Sequence, residues 1–167
     1  AARANTAVWS AALSGNVLVT TLDPGFHVPY GENSAGATAM LNAAIAFASG
    51  RADHTGAYLS IGCMEDANLL QDLSAAGTFV RTAGSGDTVH VVGGDVPSEL
   101  AGLTDAQLSG WDNSWHGRVL TGPSDFGPFA VTGDVSPEGS VIMIRGGSGT
   151  TARAGYCSAA GNTNQIG

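Results

Sequence analysis

The sequence predicts an α/β protein, and two patterns along the chain favour this fold class. In the first half, short apolar runs rich in β-branched residues alternate with longer segments of strong helix formers. In the second half, shorter strand-like runs are separated by Gly and Pro turns. We therefore expect a parallel or mixed sheet with helices on both faces and short antiparallel strands toward the C-terminus. An α+β arrangement is the alternative.

The first predicted strand, Asn16–Leu22, leads into a polar loop that contains Asp23 and His27. A helix is predicted over Ala37–Ser49, because this segment has strong helix formers, no internal breaker and a glycine directly after it. Open α/β sheets bind ligands at the carboxyl ends of their strands. The loop after the first strand is therefore the first place to search for a site.

The remaining elements follow from the same rules. A helix is predicted over Asp66–Ala76, where three leucines share one face, and one or two short helices are predicted over Pro97–Ser109. The other predicted strands are Gly56–Gly62, Thr78–Thr82, Thr88–Val92, Arg118–Leu120, Phe129–Thr132 and Ser140–Arg145. Together they predict one domain over residues 15–145, followed by an irregular C-terminal tail over residues 146–167.

Residues 1–14 are predicted to form an N-terminal arm whose large apolar side chains are Val8, Trp9 and Leu13. An indole left in water is unfavourable, so the arm needs a surface on which to pack. The arm either packs on its own domain or docks on a neighbouring subunit. The second alternative predicts a homo-oligomer or a filament.

Charge excludes several classes of function. Only 12% of the residues are charged, the formal net charge is −8, and the six basic residues are all arginine. Such a chain is repelled by phosphate backbones and anionic lipid, so neither nucleic acid nor membrane insertion is expected. The absence of lysine excludes a P-loop lysine and a Schiff-base lysine. Divalent cations such as Ca²⁺ are the more natural ligands of an acidic protein.

Two features favour an exported, extracellular or cell-surface protein. The chain begins at Ala with no basic-then-apolar leader, as a mature, processed product does, and its residues are mostly small and uncharged.

Its two cysteines, Cys63 and Cys157, lie far apart and form no CxxC motif. A disulfide between them is the simplest interpretation.

The segment Leu59–Glu65 places Cys63 directly after a predicted strand and before a predicted helix. In this detail, and in the order of elements over residues 15–145, the chain resembles the class I glutamine amidotransferase-like domains of flavodoxin type. The resemblance implies a nucleophilic Cys63 with His116 as its base. The disulfide and a plain buried thiol are the alternatives.

Histidines near aspartates are the candidate metal ligands. Asp23 and His27 share the loop after the first strand, and we single them out as a possible metal site. The alternative for His27 is a hydrogen-bonded loop or core histidine. For His90, which alternation places on one face of a strand, a structural role is favoured.

Two of the three tryptophans lie in the polar cluster Trp111 to His116. Trp111, Asp112 and Trp115 are residue types that bind carbohydrate or form protein interfaces, and a core-packed pair of indoles is the alternative.

Three functions follow from these observations. The first is a non-catalytic exported structural or surface protein that forms homotypic assemblies. The second is an amidotransferase-like or hydrolytic enzyme that uses Cys63 and His116. The third is a carbohydrate-binding module that uses Trp111 and Trp115.

Overall fold

The computed structural model describes residues 13–61, 69–72, 76–82, 87–92, 94–111, 117–133 and 139–146. The described helices are α1 (Pro24–His27), α2 (Ser34–Ser49) and α3 (Asp105–Leu108). The described strands are β1 (Val17–Thr20), β2 (Ala57–Ser60), β3 (Leu69–Asp72), β4 (Thr78–Thr82), β5 (Val89–Val91), β6 (Arg118–Thr121), β7 (Gly127–Thr132) and β8 (Ser140–Arg145).

The eight strands form one mixed sheet that branches at β8. The strand order is β2-β1-β8-β6-β4-β3, and β7 pairs with the other edge of β8 and carries β5 on its far side. β1 and β6 pair with the same edge of β8. Ile142–Arg145 pair with β1, and Ser140 pairs with Val119 of β6. The roughly α/β-like fold predicted from the sequence is therefore confirmed at this level.

The parallel part of the sheet is the pair of β1 and β2, which are joined through α2. All four residues of β1 are buried, as expected for a short apolar strand covered on both faces. Parallel neighbours need a long crossover, and the 16-residue α2 supplies it. The carboxyl end of β1 leads directly to Asp23 and to α1, which contains His27.

Two apolar clusters pack against the sheet. The larger one joins α2 to residues such as Leu18, Trp111 and Ile142. The smaller one contains Val19, Phe79 and other residues of the opposite face. The described helices α1, α2 and α3 lie on the side of the larger cluster, since α2 contacts both of the short helices.

Two sequence predictions require correction. The predicted helix over Asp66–Ala76 is wrong at Leu69–Asp72, which form β3 in antiparallel register with β4. A short run with two adjacent leucines suits a strand as well as a helix, and the pairing with β4 decides between them. The expected helices on both faces are also not found among the described residues, because all three described helices lie on the side of the larger cluster. The sheet itself is mixed, which was one of the two predicted alternatives: β1–β2 is parallel and every other described strand pair is antiparallel.

Leu13, which the sequence analysis assigned to the arm, packs against the smaller cluster of its own chain. Its carbonyl oxygen accepts a hydrogen bond from Arg145 Nη2 at 3.0 Å. The described part of the chain is thus fixed to the domain from Leu13 onward. Val8 and Trp9 lie outside the described residues. Within the described chain, no helix is long and apolar enough to cross a membrane.

Candidate functional site

The loop after β1 buries its histidine completely. Asp23 precedes α1, Pro24 starts the helix, and His27 ends it with a side chain that is 0% exposed. His27 Nδ1 lies 3.0 Å from the carbonyl oxygen of Glu32, and Nε2 lies 3.4 Å from Asp23 Oδ1. Because both ring nitrogens face protein oxygens, the arrangement matches the hydrogen-bonded core histidine that was the alternative to a metal ligand.

Aromatic rings surround the His27 imidazole. Trp111 is fully buried with its ring centroid 4.7 Å from that of His27, and Phe26 makes an edge contact at 5.4 Å. The Trp111 indole Nε1 donates to the carbonyl oxygen of Gln107 at 3.1 Å. Trp111 therefore belongs to the core, which was the alternative to a carbohydrate-binding or interface role for this residue.

Asn33 connects this loop to α3. It caps the N-terminus of α2 by accepting a hydrogen bond from Gly36 N at 3.1 Å. Its Nδ2 lies within donating distance of three carbonyl oxygens at the end of α3, at 3.0, 3.2 and 2.7 Å; these belong to Ala106, Gln107 and Ser109. One side chain thus satisfies groups at the ends of two helices.

A second polar group lies at the carboxyl ends of β1 and β2. Tyr58 shares a hydrogen bond with Ser60, whose Oγ donates to the carbonyl oxygen of Leu22 at 3.2 Å. Burial raises the pKa of Tyr58 to about 12, and the negative charge of Asp23 contributes in the same direction. Tyr58 is therefore a neutral hydrogen-bonding group at physiological pH.

The other two described histidines form surface pairs with aspartates. His54 Nδ1 lies 2.6 Å from Asp53 Oδ1, while Arg51 Nη2 lies 3.0 Å from His54 Nε2. The hydrogen bond from His54 lowers the pKa of the Asp53 carboxyl. His90 Nδ1 lies 2.9 Å from Asp105 Oδ2, which gives His90 the structural contact that its place in a strand predicts.

Asp105 provides a testable pH dependence. Its carboxylate accepts hydrogen bonds from His90 and, at 2.7 Å, from the Val91 backbone N–H, and these two bonds lower its pKa from 3.8. A lowered folded-state pKa stabilises the protein above pH 3.8, and this contribution disappears as the pH falls through the folded-state value. Because the side chain is half exposed, we expect Asp105→Ala to cost only about 0.5–1 kcal/mol at pH 7.

Urea unfolding of the wild type and Asp105→Ala at pH 7 and pH 3 measures this difference. The difference in free energy of unfolding between the two proteins should be smaller at pH 3 than at pH 7. Asp95→Ala, which removes another exposed carboxylate, is the control. A difference of the same size at both pH values would show that the ionised form of Asp105 contributes nothing.

Most of the predicted chemical residues lie outside the described part of the chain. This applies to Cys63, Cys157 and His116, and to Asp112 and Trp115. The catalytic pair, the disulfide and the second tryptophan of the aromatic cluster therefore stay predictions. In the described part, no group of three or more His, Cys, Asp or Glu side chains is placed to hold a metal ion.

The structure also brings together residues that the sequence analysis did not select. Asn33 had a signal, since it directly precedes a helical segment and asparagine is a preferred N-cap. No pattern in the local sequence indicates Tyr58, because its proximity to Asp23 depends on the pairing of β1 with β2. No family model, curated protein or solved structure matches this chain.

Proposed function

We propose that this protein is a non-catalytic, exported structural or surface protein that forms homotypic assemblies. The single observation that carries the proposal is the outer face of α2. This 16-residue helix contains no charged residue, although nearly half of its positions are exposed. The exposed positions of the helix are Ser34, Ala35, Thr38, Asn42, Ile45, Ala46 and Ser49.

A helix that faces solvent usually carries charged side chains on its outer surface. Here the most apolar outer residue, Ile45, is 52% exposed. Two further large apolar side chains, Phe26 and Tyr30, are 44% and 80% exposed, with ring centroids 6.3 Å apart. Contact between such surfaces brings few like charges together, which favours association of a chain with a net charge of −8.

The surroundings of the described histidines support a non-catalytic role. His27 is enclosed by protein groups, and His54 and His90 are each held by an aspartate. A general base needs a ring nitrogen within reach of a substrate proton. The His27 imidazole does not meet this requirement, because it is fully buried and both of its ring nitrogens face protein oxygens.

Sedimentation velocity of the full chain tests the proposal. We expect a species larger than a monomer at micromolar concentration, and we expect Ile45→Glu to weaken association by about tenfold or more, because a carboxylate would be buried in the contact. Ser124→Glu, which adds the same charge at an exposed turn beside the opposite cluster, is the matched control and should leave association unchanged. A wild-type protein that stays monomeric at high concentration would overturn the proposal.

A further inference from the structure

The described sheet has three edge strands, β2, β3 and β5, and they are protected to different degrees. Along the outer edge of β5, Asp105 accepts the Val91 N–H at 2.7 Å, and Ser109 Oγ bonds both the N–H and the carbonyl of Val89. The sequence of β3 includes the charged Asp72. Blocked or charged edges are the usual defence against unwanted strand pairing.

The outer edge of β2 has no such protection among the described residues. Ala57 N–H and Ile61 N–H donate to β1, so in the alternating parallel ladder the N–H groups of Tyr58 and Ser60 point away from it. Within the described structure these two N–H groups have no acceptor. Ser60 is exposed, and the strand contains no charged residue and no proline. As far as the described residues go, this edge is therefore open to a further strand.

The sequence before Leu13 suits such a strand. In an extended chain Trp9 shares one side with Ala7 and Ala11, while Val8 lies on the other side with Thr6 and Ser10. No charged residue occurs between Arg3 and Asp23. A main-chain ladder at the edge of a sheet is an established mode of recognition for extended segments.

The course of the described chain favours the arm of another copy. Gly15 N–H bonds Thr55 on the β2 side of β1, whereas the Leu13 carbonyl is held by Arg145, the residue that pairs with Val17 on the β8 side. Toward its N-terminus, the chain thus leaves the edge of β1 and lies on the face of the sheet that carries the smaller cluster. To pair with the outer edge of its own β2, a segment that precedes Leu13 would have to leave this face and turn around β2, whereas the arm of another copy has no such constraint.

We propose that residues 1–12 of one copy add as a strand to the open edge of β2 in a second copy. The inference rests on the proposed homotypic assembly and names the contact that propagates it. It assigns a burial site to Trp9, the largest side chain of the arm. A head-to-tail contact of this kind produces a ring or an open filament, according to whether the rotation between copies closes.

Ser60→Pro tests the edge directly. Proline removes an N–H that makes no bond to β1, so the substitution is tolerated in the isolated domain but blocks an incoming strand. We expect association to weaken by about tenfold or more, the effect of one lost backbone hydrogen bond together with the steric block. Ser60→Ala, which removes the hydroxyl and keeps the N–H, is the matched control and should assemble within about twofold of the wild type.

Hydrogen exchange gives a second readout that does not depend on the proline variant folding. In the assembled wild type, the amides of Tyr58 and Ser60 should exchange more slowly than in Trp9→Asp, a full-length variant with a charged arm. The amides of Leu59 and Ile61, which face β1, should exchange equally in both. A synthetic peptide of residues 1–14 should compete with assembly.

The outcomes separate the two proposals. A monomeric wild type overturns both. Assembly that persists in Ser60→Pro, with unprotected Tyr58 and Ser60 amides, overturns only the edge contact. Assembly that is sensitive to Ser60→Pro but unaffected by Trp9→Asp and by the peptide overturns the arm as the occupant of the edge.

Discussion

Trp111→Ala should lower the free energy of unfolding by about 4 kcal/mol, because it removes the largest fully buried side chain of the described core. The substitution opens a cavity beside His27, whose ring centroid lies 4.7 Å from that of the indole. It also leaves the Gln107 carbonyl without the indole donor. Urea unfolding followed by circular dichroism measures the change.

Trp111→Phe is the matched control for volume. It retains most of the apolar contact and removes the indole N–H, so we expect a loss of only about 1–2 kcal/mol. If Trp111→Ala were as stable as the wild type, the indole would not be part of the core. The interpretation of Trp111 as a surface residue that binds sugar or protein would then regain its support.

Asn33→Ala should cost about 3 kcal/mol, which is large for a residue that is not fully buried. The substitution removes the N-cap of α2 and the donor that serves three carbonyls at the end of α3. It also places alanine at a backbone φ of 48°, in the left-handed region that asparagine tolerates better. Urea unfolding measures the loss.

Three further variants separate these causes. Asn33→Gly keeps the backbone conformation accessible, so its smaller loss measures the side-chain contribution. Asn33→Asp keeps the capping acceptor but turns carboxylate oxygens toward carbonyl oxygens, and it should be at least as destabilising as alanine. Asn42→Ala, on the exposed face of the same helix, should change stability by no more than about 0.5 kcal/mol. An Asn33→Asp protein as stable as the wild type would contradict the role assigned to Nδ2.

The two variants address one structural unit. Asn33 and Trp111 both donate to the carbonyl of Gln107, and a side chain at Gly36 would collide with that same oxygen. Gly36 therefore allows the start of α2 to approach the end of α3 closely. This contact encloses His27, so we expect the effects of Asn33 and Trp111 substitutions to be non-additive.

Local sequence by itself determined most of the elements. The strands Thr78–Thr82 and Ser140–Arg145 occur with the predicted bounds, and α2 extends the predicted helix by one turn at its N-terminus. These segments have a clear pattern that matches their final environment. The apolar run of β1 is buried on both faces, and the helix formers of α2 present Met40, Ala44 and Phe47 to the sheet.

Only the tertiary structure decided the direction of the strands, the state of Leu69–Asp72 and the environment of His27. Strand direction depends on which segments pair, and the antiparallel partner β4 is what makes Leu69–Asp72 a strand. His27 and Trp111 are 84 positions apart in the sequence, so no local pattern contains their contact. Whether a histidine serves as a ligand or as a core group depends on the groups around both ring nitrogens, and folding alone brings those groups together.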